Sequence, residues 1–251
     1  MKPKAITFDF WGTLFTEGEA FLEKVMPARY EILLDALSEA GHPVDEAEVR
    51  EAYRQASLAF EEAWKAGEHM PVYERVARIF ALLGAPHDPG LIALTARRLE
   101  ESSLLAPLKP LPGVEVLKDL AKKYPLAIVS DTGMTPGRLL REHLKRQGLD
   151  VFQAFSFSDE TGFVKPKPEA FRVALEALGV APEDVTHVFI SHHHPDHMTN
   201  IALFPNAWLV EEIYEQDVAD PSPVSEAWRE FFTGYVPPGR QAPAATPGDA
   251  T

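Results

Sequence analysis

The stretch Ala5-Ile6-Thr7-Phe8-Asp9-Phe10-Trp11-Gly12-Thr13-Leu14 decides how the rest of the chain is read. Ala5 to Phe8 is short, apolar and β-prone, and it runs into an acid and then into turn chemistry at Gly12 and Thr13. A carboxylate at a strand end projects into a crevice, where it can act as a nucleophile or a metal ligand. An Asp in a strand-to-helix turn is the plainer reading of that position.

Working outward, a helical pattern extends from about Glu19 to Leu104. Tyr30, Leu33, Leu34 and Leu37 recur at three-to-four spacing, as do Val76, Ile79, Phe80 and Leu83. Gly41-His42-Pro43 and Gly84-Ala85-Pro86 punctuate it, and four or five helices are expected. Near Pro110 the rhythm changes. The pattern predicts a helix over Gly113 to Lys123, a strand from Leu126 to Val129 ending on Ser130, and a helix over Pro136 to Gln147. A strand follows at Ala154 to Ser156, then a helix at Pro168 to Leu178. Two more strands are expected at His187 to Ile190 and Ala207 to Val210.

This alternation predicts an α/β fold with a doubly wound parallel sheet, a Rossmann-like core carrying an inserted α-helical cap. The expected division is a core of 1–16 and 106–232, a cap of 17–105 and a disordered tail of 233–251. The cap would lie over the carboxyl edge of the sheet, where open α/β sheets bind ligands.

Composition narrows the function classes. The 251 residues hold 24 Lys+Arg against 38 Asp+Glu, a net charge of −14. That surface repels phosphate backbones and anionic lipid, so neither nucleic acid nor membrane is an expected partner. A small anionic substrate fits if a local site is positive. There is no cysteine, which excludes a thiol nucleophile and Cys-ligated metal and agrees with a cytoplasmic location. A monomer and a homodimer are both compatible with the sequence.

Other strand ends add chemistry to Asp9. Ser130 is followed by Asp131-Thr132-Gly133, a hydroxyl and turn N–H groups suited to an oxyanion. Lys165 lies in Gly-Phe-Val-Lys-Pro-Lys-Pro-Glu, where prolines on both sides of Lys167 are expected to hold the segment extended. Lys165 can neutralise Asp9, whereas Lys167 reads as a solvated lysine. Trp64 and Tyr73 read as packing between cap helices. His42, His69, His87 and His143 read as surface or capping residues.

These residues resemble the haloacid dehalogenase superfamily. Phe8 to Leu14, Ile128 to Gly133 and Lys165 to Phe171 are similar to its first three motifs in order and spacing. The resemblance implies that Asp9 attacks the substrate covalently, Thr13 and Ser130 hold the transferred group, and Lys165 stabilises charge. It further implies substrate contacts from Trp11, Gly12, Asp131 and Thr132, and Mg²⁺ held by Asp9, the Trp11 carbonyl and Asp196. The most frequent substrates in such a family are small phosphomonoesters.

Two departures qualify that expectation. Trp11 stands where family phosphatases place an acid/base Asp, and an indole cannot protonate a leaving alkoxide. Ser191 stands where the fourth motif begins with an acid. Both features resemble the 2-haloacid dehalogenase branch, whose halide leaves without a proton. A fold that binds without catalysis is a further alternative. His192-His193-His194-Pro195-Asp196-His197 also resembles the H-x-H-x-D-H loop of the metallo-β-lactamase fold. That likeness implies Zn²⁺ at His192, His194 and His197, although no histidine follows His197 to complete the set.

Overall fold

The structure is a computed structural model that describes residues 3–189 and 203–210. Its strands are β1 (Ile6–Phe8), β2 (Phe15–Thr16), β3 (Lys109–Pro110), β4 (Leu126–Ser130), β5 (Ala154–Phe157), β6 (His187–Phe189) and β7 (Trp208–Val210). Its α-helices are α1 (Glu19–Glu39), α2 (Glu46–Lys65), α3 (Val72–Leu82), α4 (Pro89–Glu101), α5 (Leu117–Ala121), α6 (Gly137–Arg146), α7 (Ser158–Thr161) and α8 (Pro168–Ala177).

The central sheet is parallel and runs β1–β4–β5. Phe8 pairs with Ile128, and Ser130 with Phe157. Because the strands are parallel and in this register, Asp9 and the Ser130-Asp131 step leave the sheet at the same edge. The middle strand reads Leu-Ala-Ile-Val-Ser and every residue in it is buried. A continuous apolar run is what a strand covered on both faces requires. Its side chains alternate accordingly. Leu126 and Ile128 enter a large cluster with Phe10, Phe15, Leu140, Leu144 and Phe157. Ala127 and Val129 face Ala170 and Ala174 of α8.

The helical segment has its own core of Leu33, Leu37, Val49, Val76, Ile79, Phe80, Ile92 and Leu99. Its helix starts are specified locally. Glu48 N–H donates to Asp45 Oδ1 at 2.9 Å and Asp45 N–H donates to Glu48 Oε2 at 3.0 Å, a capping box on α2. Asp88 caps α4, with Pro89 at its first turn. The chain leaves for these helices at β2 and returns at β3, and the two pair antiparallel, Thr16 opposite Lys109. Two-residue strands are too short to leave a periodic signal, and this pairing was not expected from sequence.

Three other expectations are corrected. The helix expected over Gly113 to Lys123 is a 3₁₀ turn at Val114–Val116 followed by the short α5. Gly113 sits at φ 91°, in the left-handed region, so no α-helix starts there. The segment around Lys165 is not extended. Lys167 N–H donates to Val164 O at 2.9 Å and closes a turn. Lastly, β6 and β7 do not extend the central sheet. They pair with each other in parallel, His187 opposite Trp208, while β1 pairs only with β4 among the described residues. In β6, His187 and Phe189 are exposed and only Val188 is half-buried. The expected strand end at Ser191, the histidine loop, Asp196 and the tail of 233–251 lie outside the described residues.

Candidate active site

The loop after β1 is folded tightly by backbone bonds. Leu14 and Phe15 N–H both donate to Phe10 O, and Gly12 N–H donates to Phe15 O at 2.9 Å. Gly12 takes φ 72° in that turn, where a side chain would be strained. The result brings Thr13 back over Asp9. Thr13 Oγ1 donates to Asp9 Oδ2 at 2.9 Å. Lys165 Nζ donates to Asp9 Oδ1 at 2.7 Å from 156 residues away in sequence. The Asp9 side chain is 14% exposed and that of Lys165 is 5% exposed. A charge-assisted contact this short and sheltered fixes both groups.

Lys165 is itself held from behind. Its backbone N–H donates to Asp131 Oδ1 at 2.9 Å. The other oxygen of Asp131 accepts from Trp64 Nε1 at 2.8 Å. Asp131, expected to touch substrate, links the Lys165 turn to α2 of the helical segment. Trp64, expected to pack between cap helices, spans the two parts of the chain. Tyr73, expected to pack likewise, is exposed.

Ser130 is 1% exposed, and its Oγ donates to Asp131 O at 3.1 Å. Thr132, expected to contact substrate, is buried and committed to its neighbours. Its Oγ1 donates to Asp159 Oδ1 at 2.8 Å and its N–H donates to Ser158 Oγ at 2.9 Å. Asp159 also accepts from Gly137 N–H at 3.0 Å, tying the start of α6 to α7. The Trp11 ring packs edge-on to Phe10 at 5.0 Å, against the large core cluster.

Two histidines differ from their expected surface roles. His69 is half-buried, and its Nδ1 lies 3.3 Å from Ser158 Oγ, a second link between helices and sheet. Burial pushes its pKa down, while Asp159 and Glu74 oppose that shift. His143 in α6 is 2% exposed, and burial, with Arg146 nearby, pushes it down to about 4. His42 bonds Leu83 O at 2.8 Å. Among the described residues, no three His, Cys, Asp or Glu side chains gather as a metal site. No described helix is long and apolar enough to cross a membrane.

Asp9, Thr13, Ser130 and Lys165 are thus gathered at one sheet edge. A family model for haloacid dehalogenase-like hydrolases matches residues 3–188. The chain belongs to that family. The haloacid dehalogenase-like region resembles YhcW of Bacillus subtilis (strain 168), a protein named provisionally as a phosphatase, with 37% identity over 94 residues. That match covers 36% of this chain and 38% of YhcW. Fructose-1-phosphate phosphatase YqaB of Escherichia coli (strain K12) is 28% identical over 112 residues, 45% of this chain and 58% of YqaB. The chain therefore spans well under two thirds of either relative. A solved 2-haloacid dehalogenase from Pseudomonas syringae pv. Tomato DC3000 is similar in fold, with TM-score 0.50 and 23% identity, covering 74% of this chain and 77% of that one.

A second model, the metallo-beta-lactamase superfamily, matches residues 127–250 and overlaps the first. Metallo-beta-lactamase domain-containing protein 1 of Mus musculus is 54% identical over 46 residues, 17% of this chain and 18% of that protein.

Sequence reasoning missed Trp64, His69 and Asp159. Trp64 and His69 act across 67 and 89 residues of chain, and no local pattern announces such a contact.

Proposed function

We propose that the chain hydrolyses a small phosphomonoester through a covalent aspartyl intermediate on Asp9. The observation that supports this best is the Asp9 carboxylate, held between Lys165 Nζ and Thr13 Oγ1 at the carboxyl edge of the sheet. The names of the two curated relatives point the same way. One Asp9 oxygen attacks phosphorus, and the bond from phosphorus to the leaving oxygen breaks with its electron pair on that oxygen. Lys165 offsets the charge gathered around the phosphoryl group, and the Thr13 and Ser130 hydroxyls hold its oxygens. Water then attacks the same phosphorus, frees phosphate and restores the Asp9 carboxylate. Trp11 supplies no proton, so good leaving groups are favoured.

The donor chemistry suits a hard divalent cation such as Mg²⁺, which would add positive charge beside the phosphoryl oxygens. Asp9 and the Trp11 carbonyl oxygen would hold it, with Asp196 as the proposed third ligand. The helical segment, proposed as a cap of residues 17–105, would exclude bulk water from the site.

Hydrolysis of an aryl phosphate with added Mg²⁺, in wild type and Asp9→Asn, tests the reading. Activity lost in the variant is the expected result. Turnover of 2-haloacids but not phosphates would replace it with dehalogenation. Retained ligand binding with no turnover of either would make the protein a non-catalytic binder. A second reading places Zn²⁺ at His192, His194 and His197, and is favoured by the match to the mouse relative. It expects about one zinc per chain, lost in the His192→Ala, His194→Ala variant; a metal-free protein after zinc exposure excludes it.

A further inference from the structure

The C-terminal half of α2 lies against the loops that carry the reaction. Trp64 Nε1 donates to Asp131 Oδ2 at 2.8 Å. Lys167 Cε lies 3.6 Å from where a Cβ on Gly67 would sit. One helical turn before Trp64, the Phe60 ring lies 3.6 Å from the corresponding point on Gly133. Phe60 and Trp64 share a helix face, so that face runs along the loop after β4, and the end of α2 abuts the turn that carries Lys165. The helix stops there for a local reason. Gly67 takes φ 75°, and its N–H donates to Trp64 O at 2.9 Å, which closes the helix end.

The Trp64 contact continues to a group that touches Asp9. Asp131 commits its other oxygen to the Lys165 backbone N–H, at 2.9 Å. Lys165 in turn grips Asp9 Oδ1 through Nζ at 2.7 Å. A run of hydrogen bonds therefore leads from an indole on the helical segment, through one carboxylate, to the lysine that holds Asp9.

Packing alone does not call for this arrangement. At Phe60 a phenyl ring meets the same loop with no polar atom. At Trp64 the ring carries a donor, and that donor is aimed at a carboxylate. Trp64 and Asp131 are both half-buried, so water competes only in part for these bonds. Charge-assisted bonds of this length are strong. A carboxylate bridging two N–H donors is fixed in orientation as well as in place.

We infer that Trp64 is a positioning residue for the reaction. Its indole N–H fixes the Asp131 carboxylate, and Asp131 fixes the Lys165 backbone so that Nζ meets Asp9. The seating of Lys165 is thereby tied to the docking of α2 on the loop after β4. The effect on rate rests on the phosphatase reading; the positioning of Lys165 does not.

The test joins aryl-phosphate kinetics to hydrogen exchange of the Lys165 amide, read by NMR on the full chain. Trp64→Phe is one variant. In a second protein the same position holds benzothienylalanine, which keeps the bicyclic ring and carries sulfur in place of the N–H. Both should speed exchange at Lys165 at least about fivefold, while the amides of Ile128 and Val129 keep their wild-type rates. Both should lower kcat about tenfold with KM within about twofold. Asp131→Asn turns an amide NH₂ toward one of its two donors. It should reproduce the loss, and Trp64→Phe added to it should cost nothing further.

Unchanged exchange at Lys165 in the benzothienylalanine protein would overturn the inference, as would faster exchange with kcat unchanged. A raised KM at constant kcat would make Trp64 a substrate contact instead. Losses that add in the double variant would show that Trp64 does not act through Asp131. If wild type turns over no aryl phosphate, the phosphatase reading fails, and exchange at Lys165 alone decides whether Trp64 positions it.

Discussion

β4 and β6 are both short strands in parallel pairs, and they differ in what surrounds them. β4 has a neighbour on each side and all five of its residues are buried between two clusters. Among the described residues β6 pairs only with β7, and Phe189 in it is 71% exposed. Phe157, in β5 beside β4, is fully buried. The haloacid dehalogenase-like match ends at residue 188, inside β6. Strand propensity makes a strand, but burial on both faces decides which strands join the sheet that bears the site.

The largest expected effect breaks or sharpens this contrast at the level of chemistry. Asp9→Asn should lower aryl-phosphate turnover by a factor of about 10³ or more with an unchanged circular dichroism spectrum. The His192→Ala, His194→Ala variant should leave that turnover within about twofold. The opposite pattern would move the activity to the histidine-rich segment that follows β6 in the sequence.

Stability should divide the same way. Phe157→Ala should cost about 3–5 kcal/mol by denaturant titration, and Phe189→Ala no more than about 0.5 kcal/mol. Equal losses would mean that β6 is as well packed as the central sheet.

A smaller effect comes from His143. Its pKa in the folded protein, about 4, lies below the ordinary 6.5. The unfolded chain therefore binds the extra proton first. The stability held by the neutral ring is complete above about pH 6.5 and is lost as pH falls toward 4. The loss should be about 2–3 kcal/mol, and His143→Leu should flatten that acid limb. A wild-type stability curve flat across this interval would refute it.

The smallest of the core effects is Gly137→Ala. A Cβ there would sit 2.3 Å from Phe157 Cδ2. The overpacked variant should lose about 1–3 kcal/mol, and Phe157→Leu should recover part of it if that contact is the cause.

Much of the fold was legible because it is written in local pattern. The run Leu126 to Val129 is apolar throughout, which marks a buried parallel strand before any neighbour is known. The helices from Glu19 onward repeat at three-to-four spacing. Asp9, Ser130 and Lys165 could be singled out because strand-end chemistry and motif spacing are properties of neighbours along the chain.

What sequence alone could not decide is which distant groups meet. Trp64 finds Asp131, His69 finds Ser158, and Thr132 finds Asp159. His143 is buried although its local context reads as surface. The β6–β7 pair stands apart from a sheet that its sequence alone would have joined. Local patterns reflect the few rotations available to adjacent residues, so they are read directly from sequence. Contacts such as these depend on how whole helices and strands dock, and only the tertiary structure sets that.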